Sequence, residues 1–273
     1  RKSIYYSHGS GKLAICKGET MKLELLNALE SYIIENGSVK TEDLCDTFSV
    51  SKNTLRKYLL ELEKRGQVRK VYGGVIAIHM NKVEPETHRA SVENDAKNAI
   101  GRIAAAMVDD GDVIFLDSGS TVAKIVPWLT QKKNLTIVTN SYPVITEAVK
   151  LPNVNLISLG GTYYENTNSF FDEEIPERTL GMNFTKLFLG CMGISIEGGV
   201  TNATYYETAL KLNVIKKSEK VILVADKTKV GKNALRTLCR VSDLYAFVTD
   251  VKPPEYFVKY CKQHKINLVY NHE

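Results

Sequence analysis

Hydrophobic positions keep one rhythm in the first third of the chain and another in the rest. From Thr20 onward they recur at three and four residues, and Leu25, Leu26, Leu29 and Ile33 predict a helix that stops at Gly37. Leu44 and Phe48 share a face of a second, short helix, with Thr41 as its expected N-cap and Glu42 and Asp43 placed favourably in the first turn. Leu55, Leu59 and Leu62 line a third helix, which Ser51 is placed to cap and Gly66 to end. The spacing then drops to two. In QVRKVYGGVIAI, Val68 and Val71 alternate with Arg69 and Lys70, and Gly73-Gly74 reads as the sharp turn of a β-hairpin.

Residues 79–92 are polar with a proline and read as a linker. Beyond it, short apolar runs alternate with helical patterns. Strands are predicted at DVIFLD, LTIVTN, NVNLISLGG, KLFLG, KVILVAD, LYAFVTD and INLVY. Helices are predicted at AKNAIGRIAAAMV, TVAKIVPWL, YPVITEAVK, YETALKLNVIKKS and PPEYFVKYCKQH. Apolar strands separated by helices imply an α/β domain with a mostly parallel sheet covered on both faces. The predicted organisation is an extension over 1–19, a small helical domain with a hairpin over 20–78, the linker, and an α/β domain over 93–273.

Charge sharpens the reading of the first domain. The chain of 273 residues carries a formal net charge of +5. Between Lys52 and Lys70, seven basic residues stand against Glu61 and Glu63, so this one window accounts for the whole surplus. With Leu55, Leu59 and Leu62 turned inward, Ser51, Lys52, Asn53, Arg56 and Lys57 face solvent in the first half of the third helix. A recognition helix makes its base and phosphate contacts there. Three short helices, a tight turn between the last two and a basic hairpin describe a winged helix-turn-helix, with Arg69 and Lys70 against the phosphate backbone. An isolated basic helix is more often just a solubilising face. The hairpin that follows this one favours DNA.

Composition narrows the setting. Apolar residues make up 44% of the chain, enough for packed cores. The five cysteines are odd in number and lack metal-ligand spacing, which suggests reduced thiols in a cytoplasmic protein. No apolar run is long enough for a membrane span. His8, His79, His88, His264 and His272 form no cluster, and neither metal nor cofactor is expected.

In parallel sheets, ligands sit beyond the carboxyl ends of the strands. Asp117-Ser118-Gly119-Ser120-Thr121 follows the first strand, Thr139-Asn140-Ser141 the second, Gly160-Gly161 the third and Asp226-Lys227-Thr228-Lys229 a later one. Each alone is most often a cap or turn. Their coincidence along one edge, with lysines nearby, favours a phosphate-bearing ligand.

The run from Glu35 to Val75 resembles the N-terminal domain of the DeoR family of bacterial transcriptional regulators, on Val50, Ser51, Thr54, Arg56, Leu59, Leu62, Glu63, Gly66, Gly73 and Gly74. Lys57 and Tyr58 stand where that family usually has arginine and aspartate. The resemblance continues over residues 84 to 250 in GDVIFLDSGST, LTIVTNS, Gly160-Gly161, Phe188 to Ile194, Glu207 with Lys211, and Asp226 to Gly231. Met192 and Ser195 replace the aspartates of a family motif, and a usual glycine is replaced near Asp172. The resemblance implies an effector domain related in fold to ribose-5-phosphate isomerase, binding phosphorylated sugars. By it Asp117, Ser118, Gly119, Ser120, Thr121, Asn140, Ser141 and Lys229 surround the ligand. It also implies a DNA operator as partner and a repressor of carbohydrate-metabolism genes. A homo-oligomer, dimer or tetramer, is expected because paired half-sites multiply the modest specificity of one small domain. Two rivals are an isomerase with a DNA-binding appendage and a scaffold whose second domain only oligomerises. The first lacks the strand-end acid pair that proton transfer needs, so no enzyme is expected; the retained SGST, TNS and Lys229 speak against the second.

Overall fold

The computed structural model describes residues 20–36, 38–64, 68–71, 74–77, 92–172 and 174–271. They fall into two units, one within Arg1–Lys82 and one within Val83–Glu273. The extension over 1–19, residues 79–91 of the 79–92 linker and the helix-ending Gly37 and Gly66 lie outside the described residues.

The first unit runs α1 (Thr20–Asn36), β1 (Ser38–Lys40), α2 (Thr41–Phe48), α3 (Lys52–Lys64), β2 (Val68–Val71) and β3 (Gly74–Ala77). The apolar stripes close on one another: Leu26, Leu29 and Ile33, then Leu44 and Phe48, then Leu55, Leu59 and Leu62 share a core with Val68 and Val75. Tyr32 meets Phe48 edge to face at 5.5 Å. The turn from α2 to α3 is made by Ser49 in the left-handed region, φ 50°, and by Val50 N–H donating to the Cys45 carbonyl. Ser51 Oγ accepts from the Thr54 N–H at 3.1 Å, so α3 is capped as expected.

Two details differ from expectation. Lys40, not Thr41, is the N-cap of α2, because β1 pairs with β3 and holds Lys40 extended, and Thr41 is already helical. Gly74 was expected to form the hairpin turn, yet it lies within β3. A Cβ there would stand 2.7 Å from the Val39 carbonyl oxygen, so this glycine lets β1 approach β3.

The second unit contains α4 (Asn94–Ala105), β4 (Val113–Leu116), α5 (Ser120–Ala123), β5 (Leu135–Thr139), α6 (Tyr142–Ala148), β6 (Val154–Ser158), β7 (Thr162–Tyr164), β8 (Ser169–Phe171), α7 (Ile175–Leu180), β9 (Phe184–Leu189), β10 (Gly193–Ser195), β11 (Gly199–Asn202), α8 (Tyr205–Lys216), β12 (Ser218–Val224), β13 (Arg236–Cys239), β14 (Ala246–Val248), α9 (Glu255–Gln263) and β15 (Asn267–Val269). Seven strands form one parallel sheet in the order β15-β14-β12-β9-β4-β5-β6. Its side chains alternate between two cores. Phe115, Val138, Leu187, Leu223 and Phe247 pack toward α8 and α9. Ile114, Ile137, Phe188, Ile222 and Val248 pack toward α4, α5 and α6.

All seven strands coincide with predicted runs. The hairpin β7–β8 and the small antiparallel sheet β10-β11-β13 were not anticipated. The helix expected over 121–129 is instead one turn of α-helix and a 3-10 turn at Val126–Trp128. Pro127 supplies no N–H, and the chain tightens onto bonds such as Trp128 N–H to the Ile125 carbonyl. No helix among the described residues is long and apolar enough to cross a membrane.

Candidate functional site

The outer face of α3 is the first candidate. Ser51, Lys52, Asn53, Arg56 and Lys57 are exposed, while Thr54 is half-buried beside the cap. Lys52 pairs with Glu42 of α2 at 3.3 Å, an exposed contact that a phosphate would readily replace. Arg56 and Lys57 make no ion pair among the described residues. Lys70 is differently placed. Its N–H donates to Glu63 Oε1 at 2.9 Å and its Nζ lies 3.1 Å from Oε2, so it fastens β2 to the end of α3. That backbone bond, with the ammonium behind it, holds the Glu63 carboxyl below its usual range. Arg69 pairs with Ile76 through the backbone, and its side chain lies outside the described residues. Tyr58, in the place of an acid, packs half-buried against the core.

The second candidate follows from the sheet order. From β4 the chain moves outward through β5 and β6, then returns to β9 on the other side of β4. The loops after β4 and β9 therefore diverge, leaving a crevice at the carboxyl ends of the two central strands. A cleft with a cavity volume of about 30 Å³ opens there, lined by Lys97, Gly119, Ser120, Thr121, Gly190, Cys191, Val224, Ala225, Asp226 and Lys229. Gly119 and Gly190 come so close that a Cβ on Gly119 would stand 3.5 Å from the Gly190 Cα. Lys97 and Lys229 supply positive charge. The Asp226 carboxylate is turned onto its own loop, where it accepts from the N–H and hydroxyl of Thr228.

Behind this wall lies a buried polar cluster. Lys211 Nζ is 2.8 Å from Asp117 Oδ2 and 3.9 Å from Glu207 Oε1. Gly190 N–H donates to the same Asp117 oxygen at 2.9 Å. Ser118 Oγ donates to Glu207 at 3.4 Å, and Asn202 and Thr204 donate to its other oxygen. Burial alone would depress the Lys211 ammonium, but the carboxylates of Asp117 and Glu207 outweigh it and hold its pKa above the ordinary lysine value. Burial pushes the Cys191 thiol up to about 12, against the pull of Lys211 and Lys229, so it is a protonated wall group rather than a nucleophile.

The structure thus brings Gly119, Ser120, Thr121 and Lys229 together on the cleft and sets Asp117, Ser118, Glu207 and Lys211 behind it. Asn140 and Ser141 lie at the adjoining end of β5. Ser141 caps α6 through the Val144 N–H. Asn140 is fully buried and donates to the Phe170 carbonyl at 3.1 Å, while its Oδ1 has no partner. Gly160 and Gly161 are not part of the cleft lining. They turn the chain after β6, and a Cβ on Gly161 would lie 2.8 Å from the Phe171 backbone. Asp172 accepts from the Glu174 and Ile175 N–H groups and pairs with Arg178. Ser195 bonds Asn233 and accepts from Gly198 N–H, closing the β10–β11 turn.

Two family models match the chain, one described as "DeoR-like helix-turn-helix domain" over residues 26–81 and one as "DeoR C terminal sensor domain" over residues 92–251. The chain belongs to the DeoR family. Among curated relatives, the HTH-type transcriptional regulator IolR of Bacillus subtilis is 35% identical over 91% of this chain and 99% of its own length. The glycerol-3-phosphate regulon repressor of Escherichia coli is 28% identical over 89% and 96%. The transcriptional repressor AccR of Agrobacterium fabrum is 29% identical over 76% and 81%. A solved D-ribose-5-phosphate isomerase overlaps 50% of this chain and 54% of its own at 15% identity and a TM-score of 0.38, too distant to bear on the chemistry. The protein is a DeoR-family transcriptional regulator with a helix-turn-helix unit and a sensor domain.

Sequence reasoning did not place Lys97, Gly190 or Cys191 among the site residues of this DeoR-family sensor domain. Lys97 carried a usable signal. It shares the stripe of Ile100, Gly101 and Ala104 on α4, and a lysine on an apolar stripe is held there by something.

Proposed function

We propose that the protein is a repressor of carbohydrate-metabolism genes, whose operator affinity falls when a phosphorylated sugar or related metabolite fills the cleft. One observation carries the reading: a basic, solvent-facing helix in a winged unit is joined in one chain to a sensor domain whose switch-point cleft holds two lysines. Arg56 and Lys57, free of ion pairs among the described residues, are placed to read bases and hold phosphates. Lys229 and Lys97 suit an anionic group, while Ser120 and Thr121 offer hydroxyls beside them. The unpartnered Asn140 Oδ1 offers an acceptor for a hydroxyl at the neighbouring strand end. The names of relatives, a glycerol-3-phosphate regulon repressor and a lactose phosphotransferase system repressor, support the choice of target genes. Assembly as a dimer or tetramer would place two winged units on paired half-sites. A catalytic role has less support, since Asp117 and Glu207 are both committed to Lys211 and to neighbouring donors.

The cleft as it stands has room for little more than a water molecule. An effector must therefore widen it, and a ligand changes DNA affinity only as far as it discriminates between two such states. The reading is tested by titrating a fluorescent operator complex with triose, pentose and hexose phosphates. Release by one of them is expected, and Lys229→Ala should bind operator like the parent yet need at least about tenfold more ligand, as loss of one charged hydrogen bond implies. A parent that responds to no member of the panel refutes the effector reading.

A further inference from the structure

Cleft and chain entry share their side chains. Val92 and Glu93 are the first described residues of the sensor unit, and the chain from the helix-turn-helix arrives through them. Lys97 lines the cleft and is 4% exposed. Its Nζ donates to the Val92 carbonyl at 2.7 Å. Lys227, in the turn between Asp226 and Lys229 of the cleft wall, pairs with Glu93 at 3.7 Å. Glu93 itself holds a left-handed backbone, φ 54°, a conformation that a non-glycine residue keeps only when its surroundings impose it.

We propose that Lys97 is an effector-binding residue whose ammonium group is shared between the ligand's anionic group and the Val92 carbonyl, so that filling the cleft loosens the anchor of Val92 and Glu93. The inference rests on the reading of the cleft as a site for anionic sugars. An ammonium offers three donors on a flexible stem. Its bond to an ionised phosphate oxygen adds attraction between opposite charges, which its bond to a neutral carbonyl lacks. A phosphate in the cleft therefore draws Lys97 away from Val92. Glu93 is then held by the partly solvated, weak pair with Lys227 and by the Lys97 N–H on its carbonyl at 3.0 Å, while Val92 loses its side-chain anchor. A signal that begins as an anion in the sensor domain then runs along the covalent chain toward the helix-turn-helix.

The test uses the full chain, with Lys97→Met and Lys227→Met as variants. Binding of triose, pentose and hexose phosphates is measured by calorimetry, and trypsin cleavage after Lys82 and Arg89 is followed by mass spectrometry with and without the sugar phosphate that binds. In the parent, ligand should speed cleavage at both positions. Lys97→Met should bind roughly 10- to 100-fold more weakly, with fast cleavage that ligand no longer alters. Lys227→Met replaces an exposed side chain, so it keeps the test open if the buried substitution fails to fold. It should bind like the parent and be cleaved faster before ligand is added, with a further rise on binding. The inference is overturned if the parent binds a sugar phosphate without any change in cleavage, if Lys97→Met binds as tightly as the parent, or if Lys227→Met is cleaved at the parent's rate. A parent that binds no member of the panel overturns the effector reading itself, and this inference with it.

Discussion

Replacing Lys211 by methionine should destabilise the sensor domain by about 3–5 kcal/mol at neutral pH, the usual cost of breaking a buried ion pair from one side. Methionine keeps the stem and fills nearly the same space, so packing contributes little. Electrostatics decides the magnitude. Lys211 is 5% exposed in its side chain and lies 2.8 Å from Asp117, whose own side chain is 2% exposed. With the lysine present, Asp117, Glu207 and Lys211 sum to a charge of −1; without it, two buried carboxylates remain. Gly190, Ser118, Asn202 and Thr204 still donate to them, which places the loss near the lower end of the range. Urea unfolding followed by Trp128, the single tryptophan, reports the sensor domain without signal from the helix-turn-helix. The dependence on pH carries a sign. Because the folded pKa of Lys211 is raised, its contribution is complete below the ordinary lysine pKa of about 10.4 and is lost only as pH climbs through the higher folded value. The parent should therefore show no loss from this lysine at neutral pH. Adding Asp117→Asn to the variant should recover part of its deficit. A deficit below about 1 kcal/mol would refute the account of a buried charge cluster.

The helix-turn-helix gives two further expectations. Arg56→Ala should cost ~1–3 kcal/mol of operator affinity and relax specificity at one base pair, while Lys57→Ala should weaken all sequences alike and lower the salt slope by about one ion. Fluorescence anisotropy across a salt series separates the two, and parent-like binding by both would remove α3 from the groove. Lys70→Ala should lose less affinity than Lys57→Ala in the same assay, because Lys70 is spent on Glu63; a larger loss would mean that it leaves Glu63 for DNA. Finally, burial that holds Cys191 and Cys239 near pKa 12 predicts slow alkylation by iodoacetamide in the native state at neutral pH and full labelling in urea, read by mass spectrometry. Rapid native labelling of Cys191 would show that the cleft wall opens readily.

The inner strands of the parallel sheet were readable because they are largely buried and so read as apolar runs, whereas the edge strands β6 and β15 are largely exposed or half-buried and stood out by their short apolar stretches between turns. The strands Gly193–Ser195, Gly199–Asn202 and Arg236–Cys239 mix polar and apolar residues over three or four positions, so no periodicity marks them. Thr41 was a reasonable cap by residue type, and only the pairing of Lys40 with Gly74 shifts the helix start. At the site, Ser120, Thr121 and Lys229 were legible from their place just past strand ends. Glu207 with Lys211 stood out only through the likeness to the family. Whether they face a ligand or Asp117 is decided by packing between segments 89 residues apart in the Ser118–Glu207 contact, which no local pattern encodes.

The return of the chain to the middle of the sheet also governs how the protein can be made. Strand β4 has β5 on one side, but on the other it waits for β9; Val113 and Thr185, which bond across that seam, are 72 residues apart. Until Phe184 to Leu189 leave the ribosome, β4, β5 and β6 form a half-sheet whose inner edge is apolar and unpaired, the kind of edge that recruits other chains. A nascent chain stalled before β9, or a gene truncated there, would carry a complete helix-turn-helix attached to an adhesive fragment. Such a product should pellet rather than occupy operators, which makes premature termination in this gene a loss of the regulator rather than a source of unregulated DNA binders.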